Sequence, residues 1–545
     1  MDYYDLGTYS WKVTTASPDA QLWFDRGLVW TYGYNHEEAI VCFKRALEAD
    51  PGCAMAHWGI AYAIGPNYNK PWEAFEPEEQ PEALATAQAA VSAATGLTKG
   101  LSEVEQALIT AIATRYPNEV VEEFGPYNDA YATAMRAVYQ SHGQSLDICA
   151  LFAEALMNRT PWQLWDLPSG QPAEGADTEE AISVLEGAFD GLTGAWEHAG
   201  LLHMYIHLME MSPHPERALR QGDALSTLVP DAGHLIHMPT HIDVLCGEYA
   251  NVVSRNHSAI LADRRFLRRD GADNFYSIYR CHDYHFKIYG AMFLGQPEPA
   301  LDAANELIET LPESVIRPLA DWFEAFIPMK QHVLIRFGSW QDILDQDLPE
   351  DGELYCVTTA MMRYARSVAS ANSGNIAGAE AERDAFYKAL EKVPESRMLF
   401  NNTCRDILGV AEQMMLGELE YHKGNHAVAF DHLRKAVELD DNLPYDEPWG
   451  WMQPARHALG ALLLEQGELV EAEAVYRADL GLDGTLSRAC QHPGNVWSLH
   501  GLHECLVRRG EGTEAAHVKL QLDKAAARAA VPVKASCYCR QQAAE

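Results

Sequence analysis

The residues best equipped for chemistry are histidines between Gly200 and Tyr289. There His203 and His207, His237 and His241, and His282 and His285 stand in pairs, with His234 and Glu210 among them. Residues four apart on a helix share a face and sit about 6 Å apart along the axis, so His203 with His207, and His237 with His241, can each chelate one ion. Imidazoles with a carboxylate and no thiolate suit zinc, copper, iron or nickel, whereas magnesium and calcium want more oxygen. The runs HMYIHLME and HGLHE match neither the HExxH metalloprotease order nor its inverted form. Pro239 falls inside the second pair, where it is expected to kink the helix and shift one imidazole.

The elements that must position these side chains come from an internal repeat. In Ala20–Cys53, Trp23, Gly27, Trp30, Ala39, Phe43, Ala46 and Pro51 fall at positions 4, 8, 11, 20, 24, 27 and 32 of a 34-residue unit. Small residues at 8 and 20 let two antiparallel helices approach, large ones at 4, 11 and 24 fill their sides, and the proline ends the second helix. The frame returns with Gly417, Gly424, Ala429, Leu433 and Ala436, and again with Gly460, Gly467, Ala472 and Tyr476. A degenerate terminal unit keeps Trp497 and Gly501, and weaker units can be phased on Gly338 and Gly374. The pattern predicts an all-α, tetratricopeptide-like helical-hairpin solenoid, one superhelix over 1–545 with a histidine-lined concave groove.

The frame can be set across the histidine region without using a histidine. Ala218 and Pro230 start one unit at Ala199, Gly247 and Ala259 set the next from Gly233, and Gly295, Ala300 and Pro312 set a third from Cys281. Positions 2, 5 and 9 of these units form a stripe turned away from the packing positions. They read Gly200, His203, His207; His234, His237, His241; and His282, His285, Tyr289, so seven of nine are histidine. With 22 histidines in 545 residues, nine random positions would hold less than one. A lone groove histidine is usually a satisfied polar side chain, but packing gives no reason to concentrate seven. The expected metal ligands are His203, His207, Glu210, His237, His241 and His285, with His234 and His282 as outer partners that hold ligands or move protons. Glu210 can serve as ligand or base. Glu154, at position 9 of the preceding first helix, is a second candidate acid/base, against its plainer reading as an exposed or salt-bridged glutamate. Tyr289 extends the stripe as a candidate substrate contact.

Residues 158–176 form a long Pro/Gly/Trp loop, read either as a surface connector or as a lid that brings Trp162 and Trp165 to a substrate. The tail, 531–545, carries Cys537-Tyr-Cys539, which suits metal or thiol chemistry or is simply inert; the eleven cysteines make no disulfide framework. With 41 basic and 78 acidic residues the net charge of −37 opposes nucleic acid and anionic lipid. No run approaches the roughly 18 apolar residues of a membrane span, and the start lacks a leader pattern, so a cytoplasmic location is expected.

The combination of YDLGTYSWKVTT, FDRGLVWTYGYNHEEAIVCFKRALEADP, AGHLIHMPTHID, CHDYHF and ASCYCR resembles a family of large intracellular tetratricopeptide-repeat proteins typified by tetratricopeptide repeat protein 38, over nearly the full length. The resemblance implies a helical solenoid and supplies no activity. The residues themselves point to a metal-dependent enzyme acting on a small molecule, an iron or copper oxidoreductase ahead of a zinc hydrolase. The alternative is a tetratricopeptide scaffold for a peptide or protein partner, although such grooves would favour Lys, Arg and Asn where this chain has histidine.

Overall fold

The computed structural model describes residues 3–540, and among them the fold is all-α. Helical hairpins follow one another along the chain, interrupted by two short antiparallel ladders, Trp165–Asp166 with Gln171–Pro172 and Met398–Leu399 with Asn402–Thr403. The first pair, Pro18–Tyr32 and His36–Ala49, shows why the repeat folds as it does. Ser17 and Asn35 cap the two helices by accepting from Ala20 N and Glu38 N. Between the helices the Phe43 ring fills the space left by Gly27: a Cβ there would stand 2.6 Å from it. The same pairing of positions 8 and 24 recurs where Gly417 meets Leu433 and Gly460 meets Tyr476.

The glycines at position 15 make the turn between paired helices. Gly247, Gly295, Gly424 and Gly467 all have positive φ, from 71° to 83°, as do Gly338 and Gly374 in the weaker units. The first hairpin places Tyr34 in that slot, with φ of 55°.

The chain groups into two compact units. The first runs to Ile242 and takes in Leu261–Arg269 and Asn274–Tyr276; the second holds Asp243–Ile260, Asp270–Asp273 and the chain from Ser277 on. The first unit is built on hairpins such as Leu146–Met157 with Thr178–Gly191 and Ala199–Glu210 with Leu219–Leu225, the second on hairpins such as Cys404–His422 with His426–Asp441 and Ala455–Gln466 with Leu469–Asp479. No helix among the described residues is long and apolar enough to cross a membrane.

Because Phe43 is wedged between Gly27 and Gly59, each of whose Cβ positions lies 2.6 Å from the ring, it has no room to yield. Gly27→Ala gains about 1 kcal/mol of helix propensity, but overpacking costs about 1 to 3 kcal/mol. A lower denaturant midpoint at unchanged slope is expected for the first unit; an unchanged or raised midpoint would show that the ring moves aside.

Candidate metal centre

The first unit gathers most of the predicted histidines. His203 and His207 stand one turn apart on the helix Ala199–Glu210, and His234 lies in the first turn of Gly233–His237; all three are buried. One ring nitrogen from each lies within 4.8 Å of the others. Nitrogens on opposite sides of an ion with bonds of about 2.1 Å lie about 4.2 Å apart at most, a gap that small side-chain torsions close.

Hydrogen bonding fixes which nitrogens face inward. His203 Nδ1 is 2.6 Å from the Tyr32 carbonyl oxygen, which can only accept, so Nδ1–H donates and Nε2 carries the lone pair. His207 Nδ1 donates in the same way to Glu210 Oε1 at 2.9 Å. The Nε2 atoms of both rings are buried with no hydrogen-bond partner. Imidazoles held by carbonyl or carboxylate at one nitrogen and bare at the other have the form of metal ligands with their outer partners in place. Burial pushes His203, His207 and His234 well below the ordinary imidazole value, and neighbouring imidazoles add to the shift, so all three are neutral at pH 7.

Glu210 ties this trio to the second predicted pair. Its other oxygen, Oε2, lies 2.9 Å from His241 Nδ1, and His241 Nε2 is 2.9 Å from His237 Nε2. Glu210 thus accepts from His207 and stands within ion-pair reach of His241, a place from which it can orient both rings or serve as the expected ligand. Pro239 does interrupt the helix, which ends at His237 and restarts at Pro239, yet His237 and His241 still meet across the break.

Aromatic rings wall the cluster. Tyr34 packs on His203, His207 and His234 at centroid distances of 4.6, 5.8 and 5.8 Å. Tyr68 lies 5.0 Å from His207, and Trp162 lies 5.8 Å from it, edge to face. Trp165 fastens the same loop to the helix by donating Nε1–H to the Leu208 carbonyl at 2.7 Å. Both loop tryptophans thus reach the His207 helix. Tyr34 also lines a surface cavity with His36, Asn67, Lys70 and Phe275.

The other predicted groups are placed as follows. His234, expected as an outer partner, stands with His203 and His207, because a repeat frame ranks positions along one helix but not the axial offset between neighbours. Glu154 accepts from the Tyr62 hydroxyl in a buried setting where burial raises its carboxyl and the nearby Arg115 lowers it. His282 and His285 belong to the second unit, where His282 packs edge to face on Phe400 at 4.8 Å and His285 Nε2 lies 2.8 Å from Met452 Sδ. Tyr289 is also there, its hydroxyl 3.0 Å from His492 Nε2 while His492 Nδ1 donates to Asp479 at 2.8 Å.

Tyr34, Tyr68 and the Tyr32 carbonyl were not among the expected site groups. Tyr34 carried a signal: a bulky residue in a slot that elsewhere holds glycine, strained backbone that points to a role. Tyr68 sits in irregular chain, where no periodicity marks it.

No family model matches this chain, and no curated protein matches it. Among solved structures it is similar to one described as "Structure of Naa15/Naa10 bound to HypK-THB", at 15% identity, over 93% of this chain and 70% of that chain, with a TM-score of 0.21. A likeness at that score says nothing about arrangement or activity. The resemblance to the tetratricopeptide repeat protein 38 family rests on the sequence motifs alone.

Proposed function

We propose that the first unit holds a transition-metal ion on His203, His207 and His234, and that the protein is a metal-dependent enzyme acting on a small molecule. The observation that carries this reading is the pair of buried, partnerless Nε2 atoms of His203 and His207, each on a ring whose other nitrogen is already committed to an acceptor. Three neutral imidazoles suit iron, copper or zinc and leave coordination positions for water or substrate. An ion there would supply Lewis acidity and, if iron or copper, one-electron chemistry. The chain's own part is to hold the imidazoles in one tautomer, to keep them dry under Tyr34, Tyr68 and Trp162, and to move a proton along His207, Glu210, His241 and His237. The finer reading is an iron or copper oxidoreductase, with a zinc hydrolase next.

A second reading, a scaffold that binds a peptide or protein, is supported by the helical-hairpin architecture itself. Elemental analysis by mass spectrometry on tag-free protein, purified without chelator or nickel resin, separates the two. Near-stoichiometric iron or copper is expected; zinc would favour hydrolysis, and no metal even after reconstitution would favour the scaffold.

A further inference from the structure

Outside the histidine site, the second unit holds a sulfur pair for which the metal centre has no use. Cys537 and Cys539 are disulfide-bonded, and one oxygen of Glu418, on the helix Cys404–His422, lies within 4.8 Å of both sulfurs. The other nine cysteines are in no disulfide, and all are buried except the half-buried Cys246.

The bond is not needed as a staple. A disulfide that closes a loop across one residue constrains the unfolded chain least of all. The segment is anchored on both sides without it. Ser536 Oγ donates to the His457 carbonyl at 2.7 Å and meets the Tyr476 hydroxyl at 2.6 Å, and Arg336 donates to the Ser536 carbonyl at 2.8 Å. On the other side Arg540 grips Glu504 with two hydrogen bonds of 2.7 and 3.0 Å. The two sulfurs also differ in access. Cys537 is half-buried beside the exposed Tyr538, whereas Cys539 is fully buried.

We propose that Cys537 and Cys539 form a thiol–disulfide exchange site for dithiols, with Glu418 as proton donor to the departing Cys539 sulfur. A substrate thiolate attacks Cys537 Sγ, forming a mixed disulfide and breaking the Cys537–Cys539 bond, whose electron pair leaves on Cys539 Sγ. Glu418 gives its proton to that sulfur, sparing a thiolate in buried surroundings. The second substrate thiol, as thiolate, then attacks the substrate sulfur of the mixed disulfide and expels Cys537, which takes a proton from solvent. The dithiol leaves as a disulfide and the pair is reduced. Burial lifts the Glu418 carboxyl to about 7, against a hydrogen bond from Asn372 that lowers it, so a large share is protonated at neutral pH, as a donor must be.

The test uses the full chain with dithiothreitol as the dithiol and reads opening of the pair by alkylation and mass spectrometry. Divided by the thiolate fraction of dithiothreitol, the rate is expected to fall as pH rises through about 7, where Glu418 loses its proton. Glu418→Gln should slow the reaction at pH 6 by about 100-fold, the low end of general-acid effects, and flatten that profile. Glu418→Asp, which keeps a carboxyl, should retain an inflection, and circular dichroism should show all three proteins equally helical. A wild-type profile as flat as that of oxidised glutathione, or a Glu418→Gln variant as fast as wild type, would overturn the proposal. So would a pair isolated reduced with stoichiometric zinc that Glu418→Gln releases.

Discussion

Replacing His207 by alanine is expected to strip the metal from the first unit while leaving helix content nearly unchanged. The substitution removes one bare Nε2 and also takes from Glu210 the imidazole N–H that it accepts. Loss of a partner beyond the ligands costs about 10- to 100-fold in metal affinity, so loss of a ligand should exceed about 100-fold. Glu210→Gln should fall in the lower range, because an amide can accept from one imidazole N–H but presents its own N–H to the other. The expected order of affinity is wild type, then Glu210→Gln, then His207→Ala, measured by competition with a chromophoric chelator. A His207→Ala protein that held metal as tightly as wild type would remove this residue from the site. Fold retention is expected because stability in hairpin arrays is spread over many neighbouring interfaces.

In the metal-free chain, mild acid should open the first unit before the second. His36, at about 3, and His203, His207 and His234, also depressed by burial, stay neutral when folded. Unfolded, each takes a proton near pH 6.5. Below that pH the unfolded state therefore binds more protons, and stability falls as pH falls, by about 1.4 kcal/mol per pH unit for each such histidine. Glu154 and Asp25, raised by burial, pull the other way, because they bind protons in the folded state first. Four histidines against two carboxyls leave a net loss of stability as pH falls. The second unit balances differently. His285 and His332, at about 3, and His457, at about 4, are opposed by Glu418 at about 7, Asp440 at about 8, and the strongly raised Asp446 and Glu447. Hydrogen exchange at pH 5 should show faster opening in peptides from 18–242 than in those from 277–540. The reverse order, or simultaneous opening, would contradict this assignment of charge.

Much of the helical framework was legible because close packing leaves a mark on residue size. Gly27 against Phe43, Gly417 against Leu433 and Gly460 against Tyr476 are pairs that only a small residue facing a large one can make. The turn glycines were legible for the same reason, since a left-handed backbone excludes most other residues. Within one helix the site was legible too: His203 and His207 share a face by period alone. What lies between helices was not. The approach of His234 depends on how far one helix is slid along its neighbour. The setting of Glu154 depends on Tyr62, from another helix, and on Arg115, from the irregular chain after the helix Glu103–Ile112. The single stripe of seven histidines is divided by a boundary between compact units that no local period marks.

The left-handed turn at Tyr34 bears on how a binding wall arises in such a protein. A hairpin's two helices are bound by mutual packing and tolerate little change, but the residue joining them is answerable only to its own backbone angles. A ring placed there adds a lateral surface to a helix far along the chain, as Tyr34 does beside His203, His207 and His234, without entering the packing between Gly27 and Phe43. Function can thus be written into the joint of a repeat at a modest local cost, and an engineer seeking a pocket in a plain helical array would do well to begin at its turns.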